Sequence, residues 1–172
     1  RISGSFETNL GTNNTANTSK SNLSDKNFNL NINGTSGDFN FLGSFGLTGV
    51  DGMSSAVSNT NTVFEDDSFS SKNGLLKLGY TINEKVTIES FFNFDEFDYD
   101  FDAGAFSDND VNKGDQEQLR FGIKPKYTYN KGQVYLLASI NTVKRNLDTF
   151  NSFSGTLDNY QYTGKSFNLD LV

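Results

Sequence analysis

The feature that most constrains this chain is an alternation of apolar and polar residues that recurs at every second position. It is clearest in the stretch QLRFGIKPKYTY, where Leu119 and Phe121 fall on one side and Arg120 on the other. A period of two is that of a β-strand, whose successive side chains point to opposite faces. No comparable helical periodicity competes with it. The sequence therefore predicts an all-β, antiparallel protein with eight strands, near residues 1–10, 26–33, 39–50, 73–82, 85–97, 117–129, 132–146 and 165–172.

The aromatic content predicts that this polar chain folds. Only 34% of its residues are hydrophobic, the mean hydropathy is −0.53 and the net charge is −7. Such values are typical of disorder, but disordered chains are poor in aromatic residues. This chain has 17 Phe and 7 Tyr, and many of them are spaced at the strand period. Regularly spaced rings need an apolar surface or an apolar solvent on one face of the sheet.

The connections between the predicted strands alternate between long and short. Short turns rich in Gly, Asn and Asp are expected at 34–38, 83–84 and 130–131. The long, polar connections are expected at 11–25, 51–72, 98–116 and 147–164, and these are the candidate ligand-binding loops. Long loops at one end and short turns at the other are typical of an up-and-down transmembrane β-barrel of the outer membrane. An ordinary half-buried antiparallel sheet alternates in the same way and is the alternative.

The alternation also assigns a direction to individual side chains. The expected lipid-facing residues are apolar: Leu78, Ile88, Phe121 and Ile123. The expected lumen-facing residues are charged: Lys77, Lys85, Glu89, Arg120, Lys124 and Lys126. Tyr127 and Tyr129 before a short turn, and Phe92 and Phe94 before a long loop, are expected at the two membrane interfaces. Pro125 lies within a predicted strand and should cost one hydrogen bond of the ladder.

Missing residue types limit the chemistry. The chain has no Cys and no His, so thiolate chemistry and the common His-dependent catalytic arrangements are excluded. We therefore expect no enzyme and no catalytic residue. The acidic balance argues against a nucleic-acid partner, because binding to phosphates requires a basic face. No apolar run approaches the roughly 20 residues that a membrane helix needs.

Several stretches resemble a known family. ISGSFETNLGTNN and NFNLNINGTSGDFNFLGSFGLTGVDGMSSA are similar to the first barrel strands after the plug domain of TonB-dependent receptors. FEDDSFSSKNGLLKLGYTINEKVTIESFFNFDEFDYD is similar to the next loop and hairpin of that family. The DGMSSA at 51–56 and the D-x-D pattern after a long strand resemble the cobalamin-receptor branch in particular.

The resemblance implies a location, a ligand class and partners. Receptors of this family have barrels of about 22 strands, so residues 1–172 are expected to be one segment, roughly the first third, of such a barrel without its plug domain. Residues 1–10 and 165–172 should then not pair with each other. The implied location is the bacterial outer membrane, and the implied ligand is a scarce bulky molecule such as cobalamin or a siderophore. The implied partners are outer-membrane lipid, a ligand bound in the extracellular loops, TonB acting through the plug domain, and a surface lipoprotein.

Two other functions stay open at this point. The first is a small, self-contained eight-stranded outer-membrane barrel with an anchoring or adhesion role. The second is a soluble β-sandwich that acts as a binding module. The complete gene would separate the receptor from the small barrel, and dependence on detergent would separate both from the sandwich.

The acidic stretch FFNFDEFDYDFDAG suggests a cation site. Its rings move from even to odd positions after Phe94, which predicts a β-bulge near Asp95 or Glu96. Beyond that bulge, Asp98, Asp100 and Asp102 are expected on one face, and adjacent carboxylates stay hydrated, shift their pKa or hold a cation. Calcium fits an all-oxygen site. Some cobalamin receptors bind calcium through loop aspartates, so the resemblance adds Asp66 and Asp67 to this site. A hydrated acidic rim without calcium is the alternative.

Overall fold

The fold is one antiparallel sheet, described here by a computed structural model for residues 1–12, 23–52, 64–104 and 109–172. Its strands are listed in chain order: β1 Ile2–Gly11, β2 Asp25–Ser36, β3 Phe39–Val50, β4 Phe69–Asn83, β5 Val86–Asp100, β6 Lys113–Tyr129, β7 Gly132–Asn151 and β8 Thr156–Leu171. Each strand pairs with the next, in the order β1 to β8. The predicted all-β, antiparallel, up-and-down order is confirmed.

The sheet is open. The strands β1 and β8, which are both described in full, form its two edges and do not pair with each other. The expectation that residues 1–10 and 165–172 stay unpaired with each other is therefore confirmed. All eight strands belong to this single sheet, so the described part of the chain has no second sheet stacked on it, as a sandwich would require.

Three of the connections are two-residue turns at one end of the sheet. Gly37 in the first of them has a φ of 57°, a conformation that glycine adopts without the steric cost of a Cβ. The second turn is at 84–85 rather than 83–84, because Asn83 closes β4 and its Oδ1 accepts hydrogen bonds from the backbone N–H groups of Lys85 and Val86, both at 3.0 Å. The third turn lies at 130–131, as predicted.

Several strands are longer than the sequence pattern indicated, so the long loops between them are shorter than predicted. The connections run over 12–24, 51–68 and 101–112, instead of 11–25, 51–72 and 98–116. Parts of these loops, residues 13–22, 53–63 and 105–108, lie outside the described residues. The fourth predicted loop, 147–164, is wrong. Most of it forms the ends of β7 and β8, which pair from Leu147 with Tyr160 through Asn151 with Thr156, and only 152–155 connect them.

The predicted bulge near Asp95 or Glu96 is also wrong. The register of β5 is continuous there on both sides, with Asp95 opposite Asn73 and Gln118. The strand stays regular, and its aromatic residues move from the face that carries Phe92 and Phe94 to the opposite face, which carries Phe97 and Tyr99. The irregularity of this hairpin lies elsewhere, between Thr81 and Asn83 of β4.

Pro125 interrupts the ladder as predicted. The pairing of β6 with β7 is recorded up to Ile123 with Ala138 and resumes at Lys126 with Tyr135. Proline has no backbone N–H to donate. The other side of Pro125 still pairs with Ile88 of β5.

The sheet curls around one of its faces. A cavity of about 810 Å³ takes its lining from seven successive strands, β1 to β7. Seven flat strands, each about 4.8 Å from the next, would spread over roughly 29 Å, so one cavity touches them all only if the sheet is curved. We call the face toward this cavity the inner face; it carries Lys77, Glu89 and Lys124. The opposite, outer face carries Leu78, Ile88 and Phe121.

Candidate functional site: the two faces of the sheet

The outer face is an exposed apolar band. Phe121 is 52% exposed and Ile140, opposite it on β7, is 53% exposed, although both lie in the interior of the sheet. Large apolar residues with this exposure continue across the outer face: Phe6, Leu30, Leu76, Tyr80, Phe92, Leu119, Ile123, Tyr127 and Phe167. A contiguous exposed apolar surface of this kind marks contact with a membrane or with other protein.

A belt of aromatic rings borders this band at the end away from the short turns. Phe6 and Phe28 have ring centroids 5.2 Å apart in an edge-to-face arrangement. Phe28 and Phe45 follow at 6.4 Å, and Phe45 and Phe94 at 6.4 Å. The belt thus extends from β1 to β5, and at its level β4 has Gly74, over which the ring of Phe94 lies. Phe94 was expected at an interface, whereas Phe6, Phe28 and Phe45 were missed, because their common level appears only once the strand register is known.

A row of charged residues lies directly beyond the aromatic belt on the outer face. Lys72 and Glu96 form an ion pair at 2.8 Å, and Lys144 and Glu117 form another at 3.4 Å. The register places Glu96 opposite Glu117, so the row reads Lys, Glu, Glu, Lys across β4 to β7. On β5 the outer face therefore changes from aromatic Phe94 to charged Glu96 between successive outward-facing residues.

The inner face combines charges with aromatic rings. Lys124 pairs with Glu89 at 3.3 Å, and its Nζ lies 4.7 Å from the ring centroid of Tyr135. The guanidinium carbon of Arg120 lies 5.5 Å from the ring centroid of Phe91. Each cation contacts a ring face, an arrangement that is attractive because the face of an aromatic ring is electron-rich.

The predicted division between the faces is confirmed with one exception. The register places Lys77, Glu89, Arg120, Lys124 and Lys126 on the inner face and all four predicted apolar residues on the outer face. Lys85 instead lies in the turn between β4 and β5, where it belongs to neither face.

The aspartates proposed for calcium have protein partners. Asp98 accepts a hydrogen bond from Ser70 Oγ at 3.3 Å. Asp100 accepts bonds from the hydroxyl and the backbone N–H of Ser68 and lies 3.8 Å from Lys113 Nζ. Asp102 lies beyond the end of β5 and accepts a bond from the backbone N–H of Asn109 at 3.1 Å.

These partners do not gather the acids into one site. Asp66 and Asp67 lie in the connection before β4. Across residues 1–12, 23–52, 64–104 and 109–172, no three Asp or Glu side chains form a group that could hold a metal ion. The calcium site stays a prediction from the sequence.

In the described ranges no helix is both long and apolar enough to cross a membrane. Comparison with protein-family models, with curated proteins and with solved structures finds no match to this chain.

Proposed function

We propose that these strands form part of the wall of an outer-membrane β-barrel, with the outer face in lipid and the inner face toward the barrel interior. The observation that carries this proposal is the layering of the outer face, in which an apolar band is bordered by an aromatic belt on β1 to β5 and by a charged row on β4 to β7. Lipid-facing barrel surfaces have this layering: an apolar zone about 25 Å tall flanked by aromatic girdles.

The height of the band supports the proposal. On β6 the apolar outer positions run from Leu119 to Tyr129, which is ten residue steps. At about 3.4 Å per step on a strand tilted by roughly 40°, ten steps cover about 26 Å of membrane. Tyr127 and Tyr129, 44% and 50% exposed, lie at the short-turn end of the band. Aromatic side chains thus stand at both of its borders.

The open edges support a larger barrel. β1 and β8 each pair on one side only, and the other side presents unpaired backbone groups. No such edge is tolerated in the hydrocarbon layer, where every backbone polar group needs a partner. Further strands, from the same protein or from another copy, would cover both edges and close the wall.

The charged inner face suits a water-filled or ligand-filled interior. An ion pair and several cations face the cavity of about 810 Å³. Together with the resemblance to TonB-dependent receptors, this supports a role in the uptake of a scarce bulky ligand. In that role the barrel is the scaffold, and the connections 12–24, 51–68 and 101–112 contribute to ligand capture at its external end.

A pair of arginine substitutions tests the membrane assignment. Phe121→Arg places a charge in the apolar band and should cost about 2–4 kcal/mol of insertion free energy near the membrane midplane. Asn168→Arg, at a neighbouring level of the sheet but on the exposed inner face, should cost little. The measurement is the amount of folded protein in the outer membrane, with the full-length gene expressed in a bacterium. Equal loss for the two variants would contradict the proposed faces.

The choice of the inner-face control follows from the packing. Gly122 is next to Phe121 and faces inward, but a Cβ added there would overlap the ring of Phe91. A substitution at Gly122 would therefore disturb the sheet for a steric reason, whereas Asn168 is exposed and has room.

A further inference from the structure

The external end of the inner face carries a line of aromatic rings. Phe69, Phe97, Tyr99 and Phe101 follow one another with ring centroids 6.3, 6.1 and 5.9 Å apart. Phe97 and Tyr99 are opposite Gln116 and Gly114 of β6, so they share the inner face with Arg120 and Lys124. We call Phe97, Tyr99 and Phe101 the aromatic track.

The track is held in place by its neighbours. The ring of Tyr99 lies across Gly114, where an added Cβ would overlap it. Its hydroxyl accepts a hydrogen bond from Arg145 Nη2 at 2.9 Å. Tyr99 is thus fixed at both ends while remaining half-exposed. A fixed ring offers contact area at a low cost in conformational entropy.

Polar side chains with planar groups lie along one side of the track. Gln118 faces inward next to Gln116, and its amide donates to Asn141 Oδ1 at 2.9 Å. Arg145 lies opposite Gln116 on one side and Tyr162 on the other. Amides and guanidinium groups supply the paired donors and acceptors that vicinal hydroxyl groups require.

The track ends at a cavity with an unsatisfied donor. This cavity, of about 450 Å³, is lined by Phe101, Asp102, Asn112, Thr149 and other residues. Asn112 is 1% exposed, and its Oδ1 accepts from the backbone N–H of Phe150 at 2.7 Å. Its Nδ2 has no hydrogen-bond partner among the described residues. Because Asn112 is closed off from a ligand, the cavity side chains that offer accessible polar groups include Asp102 and Thr149.

We propose that the aromatic track and this cavity bind a linear oligosaccharide. This inference rests on the proposed function, in which the track faces the barrel interior at its external end. One face of a sugar ring is a patch of C–H groups that packs on an electron-rich aromatic face, and its rim is a set of hydroxyl groups. Successive sugars of a chain would stack on Phe97, Tyr99 and Phe101. Their hydroxyl groups would meet Gln116 and Arg145 beside the track and Asp102 and Thr149 in the cavity at its end.

The test measures oligosaccharide binding to the full-length protein in detergent micelles. The probes are maltohexaose, cellohexaose and, as a planar aromatic comparison, N-acetyltryptophanamide. Calorimetry measures the binding of each probe. We expect at least one of the two oligosaccharides to bind and the tryptophan derivative not to bind. Phe97→Leu and Tyr99→Leu each remove one stacking ring and should weaken saccharide binding about fivefold, the value of one aromatic contact. Tyr99→Phe keeps the ring and should have a smaller effect.

The matched control is Tyr135→Leu, the same change on the inner face but outside the track, beside Lys124. It should leave saccharide binding unchanged. An absence of oligosaccharide binding to protein that inserts normally, or equal weakening by Tyr135→Leu and Tyr99→Leu, would overturn this inference and leave the barrel proposal intact. Failure of the wild-type protein to enter the outer membrane would instead contradict the barrel proposal itself.

Discussion

At the scale of the residue, glycines on the inner face make room for rings from the neighbouring strand. Gly114 lies under Tyr99, and Gly122 lies under Phe91. Without a Cβ at these positions the rings pack against the sheet, and each ring covers backbone that a glycine would otherwise leave exposed. Gly49 is different, because nothing lies within 4 Å of the position that its Cβ would occupy.

This difference predicts opposite effects of the same substitution. Gly114→Ala should destabilise the protein by about 1–3 kcal/mol, because the added methyl displaces Tyr99 and disturbs its bond with Arg145. Gly49→Ala should be neutral or stabilising by up to about 1 kcal/mol, since alanine loses less backbone entropy than glycine on folding. Thermal unfolding of the two variants in detergent measures both effects. A stabilised Gly114→Ala variant would show that the ring does not lie where the structure places it.

At the scale of the element, Asp100 ties the connection before β4 to the end of β5 through its side chain and through its backbone N–H, which donates to Ser68 O at 2.9 Å. Asp100 accepts two hydrogen bonds from Ser68 and lies near Lys113. Asp98 has a single bond from Ser70 at 3.3 Å. Both aspartates were expected to bind calcium, but the bonds in the structure give them a role in positioning the loop that needs no metal.

This difference in hydrogen bonding between Asp98 and Asp100 predicts different effects when each side chain is shortened to alanine. Asp100→Ala removes the two side-chain bonds and leaves the backbone bond from residue 100 to Ser68. It should loosen the end of the 51–68 connection and speed its cleavage by a protease about fivefold, as expected if roughly 1 kcal/mol of local stability is lost. Asp98→Ala, which removes one weaker bond, should change the rate less. The same digestion with and without calcium tests the sequence-based metal site: protection by calcium would support it. Equal cleavage rates for the two variants would contradict the role given to Asp100.

The strands were predictable from the sequence where one face is apolar, and less predictable where both faces are polar. Phe39–Val50 matched its prediction to the residue because its outer positions are Phe, Gly and Leu. The segment 156–164 was taken for a loop because TLDNYQYTG is polar on both faces. The segment belongs to β8 because it pairs with β7, and that pairing cannot be read from the local sequence pattern. The bulge near Asp95 or Glu96 was predicted wrongly for a related reason: aromatic residues that change face resemble a bulge when only the spacing is known.

The corrected β7–β8 hairpin predicts where the chain tolerates an insertion. Its tip is 152–155, and Phe153 there is fully exposed. An epitope tag inserted after Ser154 should be tolerated and should bind antibody on intact cells. The same tag between Gln161 and Tyr162, inside β8, should reduce the amount of folded protein. A tag at the 130–131 turn should bind antibody only after the outer membrane is permeabilised. Equal antibody binding on intact cells to the tag after Ser154 and to the tag at the 130–131 turn would contradict the proposed orientation.

At the scale of the whole molecule, the sheet has an apolar face, a charged face and two unpaired edges. An exposed band holding Phe92, Phe121 and Ile140 is unfavourable in water. The same band is favourable against lipid, where the charged residues of the inner face would be out of place. The curl of the sheet separates these surfaces, and its open edges limit how far this part of the chain can be stable alone.

The most direct test of this account measures which solvent each residue of β6 contacts. The chain has no Cys, so single cysteines at positions 118 to 121, 123 and 124 can each carry one spin label in the full-length protein in bilayers. Collision rates with oxygen, which is concentrated in lipid, and with a water-soluble nickel chelate report the surroundings. The account predicts a period of two: oxygen contact at 119, 121 and 123, and nickel contact at 118, 120 and 124. Nickel contact at every position, or no alternation, would contradict it.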